Sequence, residues 1–109
     1  MDNDANWQLA LSGFASEIKQ AHSDQIAEIL LYGSRARNEA DPLSDIDLLV
    51  VVNGAEAKSA VDKRCAQAAN RLSLEYDVVI SVMVVDERQY RDSFEPLLIN
   101  VRREGKKVA

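Results

Sequence analysis

The sequence predicts an α/β chain. Helix-like and strand-like segments alternate along its length, and the segment Asp45–Val52 becomes apolar on both faces after Asp47. Side chains alternate across a strand, so an apolar run on both faces marks a strand central to a sheet and covered on both sides. The first element is an amphipathic helix over about 6–21, where Trp7, Leu11, Phe14 and Ile18 recur at helical spacing. Ile29-Leu30-Leu31-Tyr32 then reads as a strand that runs into a turn at Gly33-Ser34. Ser34 is placed to cap a short helix through Asn38, and Glu39 to Ser44, with Asp41-Pro42 inside, reads as a loop. Asn53-Gly54 ends the second strand, Asp45–Val52. Ala57, Ala60, Val61, Cys65, Ala68 and Leu72 form a helical stripe over about 56–72. Tyr76–Val85 is the third strand, with Asp77 near its start. Asp86 opens a short helical segment to about Asp92, Pro96 opens a final helix, and Gly105 stops it.

A length of 109 residues predicts one domain spanning 1–109, with no room for a separate substrate domain. The net charge of −5 argues against a broadly basic nucleic-acid-binding surface. No apolar run approaches the roughly 20 residues of a membrane helix. The start, Met1-Asp2-Asn3-Asp4, lacks the basic and apolar regions of a signal peptide, and the single cysteine, Cys65, fits a reducing compartment. A cytoplasmic protein is expected, with Cys65 a packing residue, since nothing in the sequence would activate it.

The chemistry is carried by a small set of residues. Asp45 and Asp47 stand two apart on a strand, so both carboxylates point to one side. Two like charges at the mouth of a core strand are unfavourable unless a cation offsets them. Mg²⁺ does so with hard oxygen ligands, commonly one or two carboxylates together with substrate phosphates. Asp77 joins the same cluster if the second and third strands are neighbours. Gly33 lets the backbone approach a phosphate closely, and Ser34 supplies a hydroxyl and an amide at a helix start. Arg35 and Arg37 lie beside the turn and are placed to neutralise phosphate charge. Each piece alone has an ordinary explanation: a turn, a solvated strand end, exposed arginines. Their order gives them weight, because one strand delivers the Gly-Ser turn, the next the paired carboxylates, and a third another acid.

Leu31-Tyr32-Gly33-Ser34-Arg35-Ala36-Arg37, the ten residues between Gly33-Ser34 and Asp45, and Ser44-Asp45-Ile46-Asp47-Leu48-Leu49-Val50 closely resemble the DNA polymerase β-like nucleotidyltransferase superfamily. The small size is similar to its minimal nucleotidyltransferase (MNT) branch. The resemblance covers roughly residues 26–107, and the ending Asn100-Val101-Arg102-Arg103-Glu104-Gly105 is also similar to the ends of such domains. It implies a small mixed sheet flanked by helices. It implies that Gly33 and Ser34 contact the triphosphate of ATP or another NTP, and Arg35 beside them is expected to join the nucleotide-binding set. It implies two Mg²⁺ ions held by Asp45 and Asp47, with Asp77 as a third carboxylate that helps activate the acceptor hydroxyl. Many relatives have glycine where this chain has Asn38, and asparagine tolerates the positive φ such a turn requires.

Many MNT proteins are antitoxins beside HEPN-domain toxins and transfer AMP to a toxin tyrosine. By analogy the expected reaction is protein AMPylation, with a HEPN-domain partner. Two rivals stand beside it: transfer to a small molecule, as in aminoglycoside nucleotidyltransferases, and a non-catalytic antitoxin that neutralises by binding. A small domain needs another surface to complete its nucleotide pocket, either a different protein or a second copy. Of the remaining residues, His22 is expected to be solvated or capping, and Trp7, Phe14 and Ile18 core. Arg102, Arg103, Lys106 and Lys107 are expected to form a basic end that complements a helix dipole.

Overall fold

In the computed structural model, residues 3–41 and 43–109 are described. Pro42 of the predicted loop and the first two residues of the Met1–Asp4 start lie outside them. The elements run α1 (Asn3–Ala21), β1 (Ile26–Tyr32), β2 (Ile46–Val52), a 3-10 turn (Ala55–Ala57), α2 (Lys58–Tyr76), β3 (Ile80–Asp86), α3 (Glu87–Asp92), α4 (Pro96–Glu104) and β4 (Lys106–Lys107). The sheet order is β3-β2-β1-β4. β2 pairs antiparallel with β1 and parallel with β3, and β4 pairs antiparallel with β1, so the sheet is mixed, as the resemblance implies.

β2 is central because its sequence leaves no polar face past Asp47. Ile46, Leu48, Val50 and Val52 are fully buried, in one cluster with Phe14 and Ile18 of α1 and Val61, Cys65 and Leu72 of α2. Leu49 and Val51 point the other way and meet Leu98 and Val101 of α4. Each such aliphatic side chain contributes about 1.5–3 kcal/mol by leaving water. The two-sided burial lets helices clamp the strand that carries the carboxylates. Trp7 packs at the edge of the first cluster, and Phe14 and Ile18 lie at its centre. Burial pushes the Cys65 thiol up to about 12, as befits an inert packing residue. No helix among the described residues is long and apolar enough to cross a membrane.

Several local readings change. β1 starts at Ile26, three residues before the predicted run, with an irregular register between Ile26 and Glu28 that masks the alternation. Residues 34–38 form consecutive turns rather than a short helix, with the Ala36 and Arg37 amides both donating to the Gly33 carbonyl at 3.1 and 3.2 Å. α2 runs on to Tyr76, because Leu72 and Tyr76 continue its apolar stripe onto the core. Asp77 then caps α2 in the left-handed region (φ 52°) with its N–H on the Ser73 carbonyl, so β3 begins at Ile80 and Asp77 is not a strand residue. Lys106 and Lys107, predicted as part of a solvated basic end, form β4 against Leu31 and Leu30. Arg102 of the same group donates to the Tyr90 and Ser93 carbonyls at 2.6 and 2.9 Å, tying α4 to the end of α3. His22 is half-buried, its Nδ1 2.7 Å from Gln25 Oε1.

Other boundaries fall where capping chemistry puts them. Asp86 accepts from the Gln89 amide at 2.7 Å and starts α3. Pro96 stands in the first turn of α4, and the helix stops at Gly105.

Candidate active site

Asp47 sits where three lines of construction meet. It is the second residue of β2, on the face shared with Leu49 and Val51 and beyond the cover of α4. Across the antiparallel pair its partner is Tyr32, the last residue of β1, and across the parallel pair it is Ser81 of β3. Directly paired residues show their side chains on the same face, so Tyr32 and Ser81 flank the carboxylate laterally. Gly33 follows Tyr32 with φ 77°, a conformation natural to glycine. A Cβ there would run into Asp47 Oδ2 and lie 3.3 Å from its Cγ. The turn therefore packs directly on the carboxylate, and the glycine is required twice, for its φ and for the contact.

Asp45 is exposed just ahead of β2. Asp47 is held above the usual carboxylate range, first by burial and then by the negative charge of Asp45, with Arg37 pulling the other way. The pair is a concentration of negative charge only partly offset by Arg37 and built from hard oxygen donors, which is the donor chemistry of a magnesium site. Tyr32 is likewise pushed up from its ordinary value by burial and by Asp47. Arg37 itself is exposed and bridges Glu39 at 2.9 Å and Glu104 of α4 at 3.3 Å.

Arg35, expected to bind the triphosphate, is engaged by groups of the chain itself. It is 8% exposed and stacks over the Trp7 ring, 4.7 Å from its centroid. Its guanidinium donates to the Ser44 carbonyl at 3.0 and 3.3 Å and to the Asp41 carbonyl at 3.5 Å. One buried cation thus ties the Gly33-Ser34 turn to the residue before Asp45 and anchors both on α1. The described residues between the turn and the acids are tied together at their base by this side chain. Asn38 adopts φ 63°, so the turn keeps its positive φ without glycine.

The structure brings together Gly33, Asp45 and Asp47, with Ser34 next in the turn. It does not bring Asp77 to them. Asp77 is exposed on the α2 cap, and the charges acting on Asp47 are Asp45 and Arg37. Among the described residues no three histidine, cysteine or acidic side chains gather closely enough to hold a metal. Tyr32 and Ser81 were missed by the sequence reading. Tyr32 carries a signal, since it ends an apolar strand immediately before the turn. Ser81 carries none, because its place depends on the β2–β3 register.

The nucleotidyltransferase domain family matches residues 11–108. Two proteins of Methanocaldococcus jannaschii, each named "putative protein adenylyltransferase", are similar. One is 33% identical over 65% of this chain and 71% of its own length, the other 31% identical over 78% and 79%. A crystal structure of a toxin-antitoxin with AMP-PNP shares the fold, with a TM-score of 0.57 at 20% identity over 88% of this chain and 70% of that one. The match spans the glycine turn, the paired acids and every strand of the sheet, and the chain belongs to the nucleotidyltransferase domain family and is a nucleotidyltransferase.

Proposed function

We propose that this chain transfers AMP from ATP to a protein hydroxyl, a tyrosine of a HEPN-domain toxin, and so acts as an antitoxin. The observation that carries the reading is the packing of Gly33, at positive φ, against Asp47 beside Asp45. It sets a turn suited to phosphate next to paired carboxylates suited to a divalent cation. The names of the two archaeal relatives support a protein acceptor. The toxin-antitoxin structure that shares the fold is consistent with a toxin partner.

Asp45 and Asp47 are the residues that would hold Mg²⁺, two ions when the nucleotide is present. Bound there, the metal neutralises charge on the triphosphate and on the oxygens that attack and leave. The chain's own part is to position. Gly33 and Ser34 present the turn to the phosphates, and Asp47 stands on a strand buried on both sides with Asp45 just ahead of it. Arg35 holds the approach to Asp45 in register with the turn. The acceptor hydroxyl loses its proton to solvent water as its oxygen attacks the α-phosphorus, the bond to the bridging β-phosphate oxygen breaks, and pyrophosphate leaves with the electron pair. The acceptor protein itself closes the open side of the site, where Ser81 and Met83 are exposed.

Neutralisation of the partner toxin in cells separates catalysis from simple binding. The Asp45→Asn/Asp47→Asn double variant should fold, bind the toxin and fail to protect. Full protection by that variant would establish neutralisation by binding alone.

A further inference from the structure

On the neighbouring strands, the residues paired with Asp47 carry hydroxyl side chains and neither is an acid. Tyr32 lies opposite it on β1 and Ser81 opposite it on β3. Ser81 is exposed, and its strand is at the edge of the sheet, so among the described residues that side of the carboxylate is open. Asp77, the nearest acid in sequence before β3, caps α2 through its backbone and has an exposed side chain. Among the described residues no third acidic, histidine or cysteine ligand completes a metal cluster. Mg²⁺ takes close to ideal octahedral oxygen coordination and gives up water reluctantly. Two carboxylates supply a minority of those oxygens and only part of the charge.

We propose that Ser81 sets the metal affinity of this site: because a hydroxyl stands in the third corner beside Asp47, the chain binds a divalent cation weakly by itself and takes it up together with the nucleotide triphosphate. The inference rests on the reading of Asp45 and Asp47 as metal ligands. The metal–nucleotide complex is then the species recognised, and the site is empty of metal between turnovers. A carboxylate at position 81 would lie on the same face, one strand over, and would turn the pair into a preformed three-acid site.

Manganese, which reports its free concentration by electron spin resonance, is the probe. Titrated into the nucleotide-free chain, it should bind weakly to the wild type. Ser81→Asp should tighten that binding by about tenfold or more, within the range by which single residues around a metal set affinity. Ser81→Asn should give no gain, and Ser81→Asp/Asp47→Asn should lose it. Thermal melts establish that each variant is folded, and the wild-type and Asp77→Asn titrations stand without the Ser81 variants. Tight nucleotide-free binding by the wild type, a loss of binding in Asp77→Asn, or no gain in folded Ser81→Asp would each overturn the proposal. Equilibrium dialysis of a non-hydrolysable ATP analogue with manganese tests the underlying site separately. If Asp47→Asn retains full metal-dependent nucleotide binding, the site reading itself is wrong. If it loses that binding while Ser81→Asp shows no gain, the inference about Ser81 alone falls.

Discussion

Gly33 and Asp47 are in contact across the β1–β2 edge, and the contact admits no side chain at position 33: a Cβ there would meet Asp47 Oδ2 and approach its Cγ to 3.3 Å. Gly33 also sits at φ 77°. Gly33→Ala therefore pays twice, about 1–2 kcal/mol for the left-handed backbone and a further displacement of the carboxylate. Catalysis should fall by about a hundredfold, the scale of a 1 Å misplacement. Steady-state rates beside a melting curve measure both, and an alanine variant with wild-type turnover would show that Asp47 need not stay where Gly33 lets it sit.

Arg35 is predicted to matter for folding before it matters for nucleotide. Arg35→Ala removes hydrogen bonds from a buried cation and its stacking on Trp7. The loss should be about 2–3 kcal/mol, or roughly 10 °C in Tm for a domain of this size. Arg35→Lys should recover little, since an ammonium cannot reproduce the planar fork. Were Arg35 chiefly a phosphate ligand, Arg35→Lys would keep its Tm and change only KM.

Asp77 should be dispensable for catalysis. Its left-handed backbone at the α2 cap suits glycine better than aspartate, so Asp77→Gly is expected to raise stability by up to about 1 kcal/mol. Asp77→Asn should transfer nucleotide at the wild-type rate. A large drop in turnover for a folded Asp77→Asn protein would return this residue to the active site.

The pH dependence of stability follows from Asp47. Its carboxyl is raised in the folded chain by burial and by Asp45, so the fold favours the protonated form. That contribution is complete below the ordinary carboxylate pKa and is lost as pH rises through the raised value. At neutral pH the ionised Asp47 is a cost, and Asp47→Asn should melt higher than wild type while losing activity. The difference should shrink in acid. Chemical denaturation across the acid-to-neutral range reads it, and a lower melting point for Asp47→Asn at neutral pH would contradict this assignment of charge.

Much of the site was legible because it is local. Gly33-Ser34 and Asp45-x-Asp47 sit at the ends of strands whose apolar runs announce them, and the alternation in β2 already puts both acids on one face. What failed depends on long-range pairing. Asp77 looked like a strand start because Val78 and Val79 favour strands, yet Tyr76 extends the helix and an aspartate takes the capping place usual for glycine. Arg35 looked free because no sequence pattern tells that Trp7, 28 positions earlier, lies under it. Ser81 became visible only with the register of β2 on β3, and Lys106-Lys107 only through its partner strand.

On the reading proposed above, the paired carboxylates carry AMP onto a partner protein. The most direct test of that reading incubates the chain, Mg²⁺ and a cognate HEPN-domain protein with ATP labelled on either the α- or the γ-phosphate. The α-label should become fixed to a tyrosine of the partner, the γ-label should leave as pyrophosphate, and Asp47→Asn and chelation of the metal should each abolish labelling. Label transferred from the γ-phosphate, or α-labelling undiminished in Asp47→Asn, would contradict it.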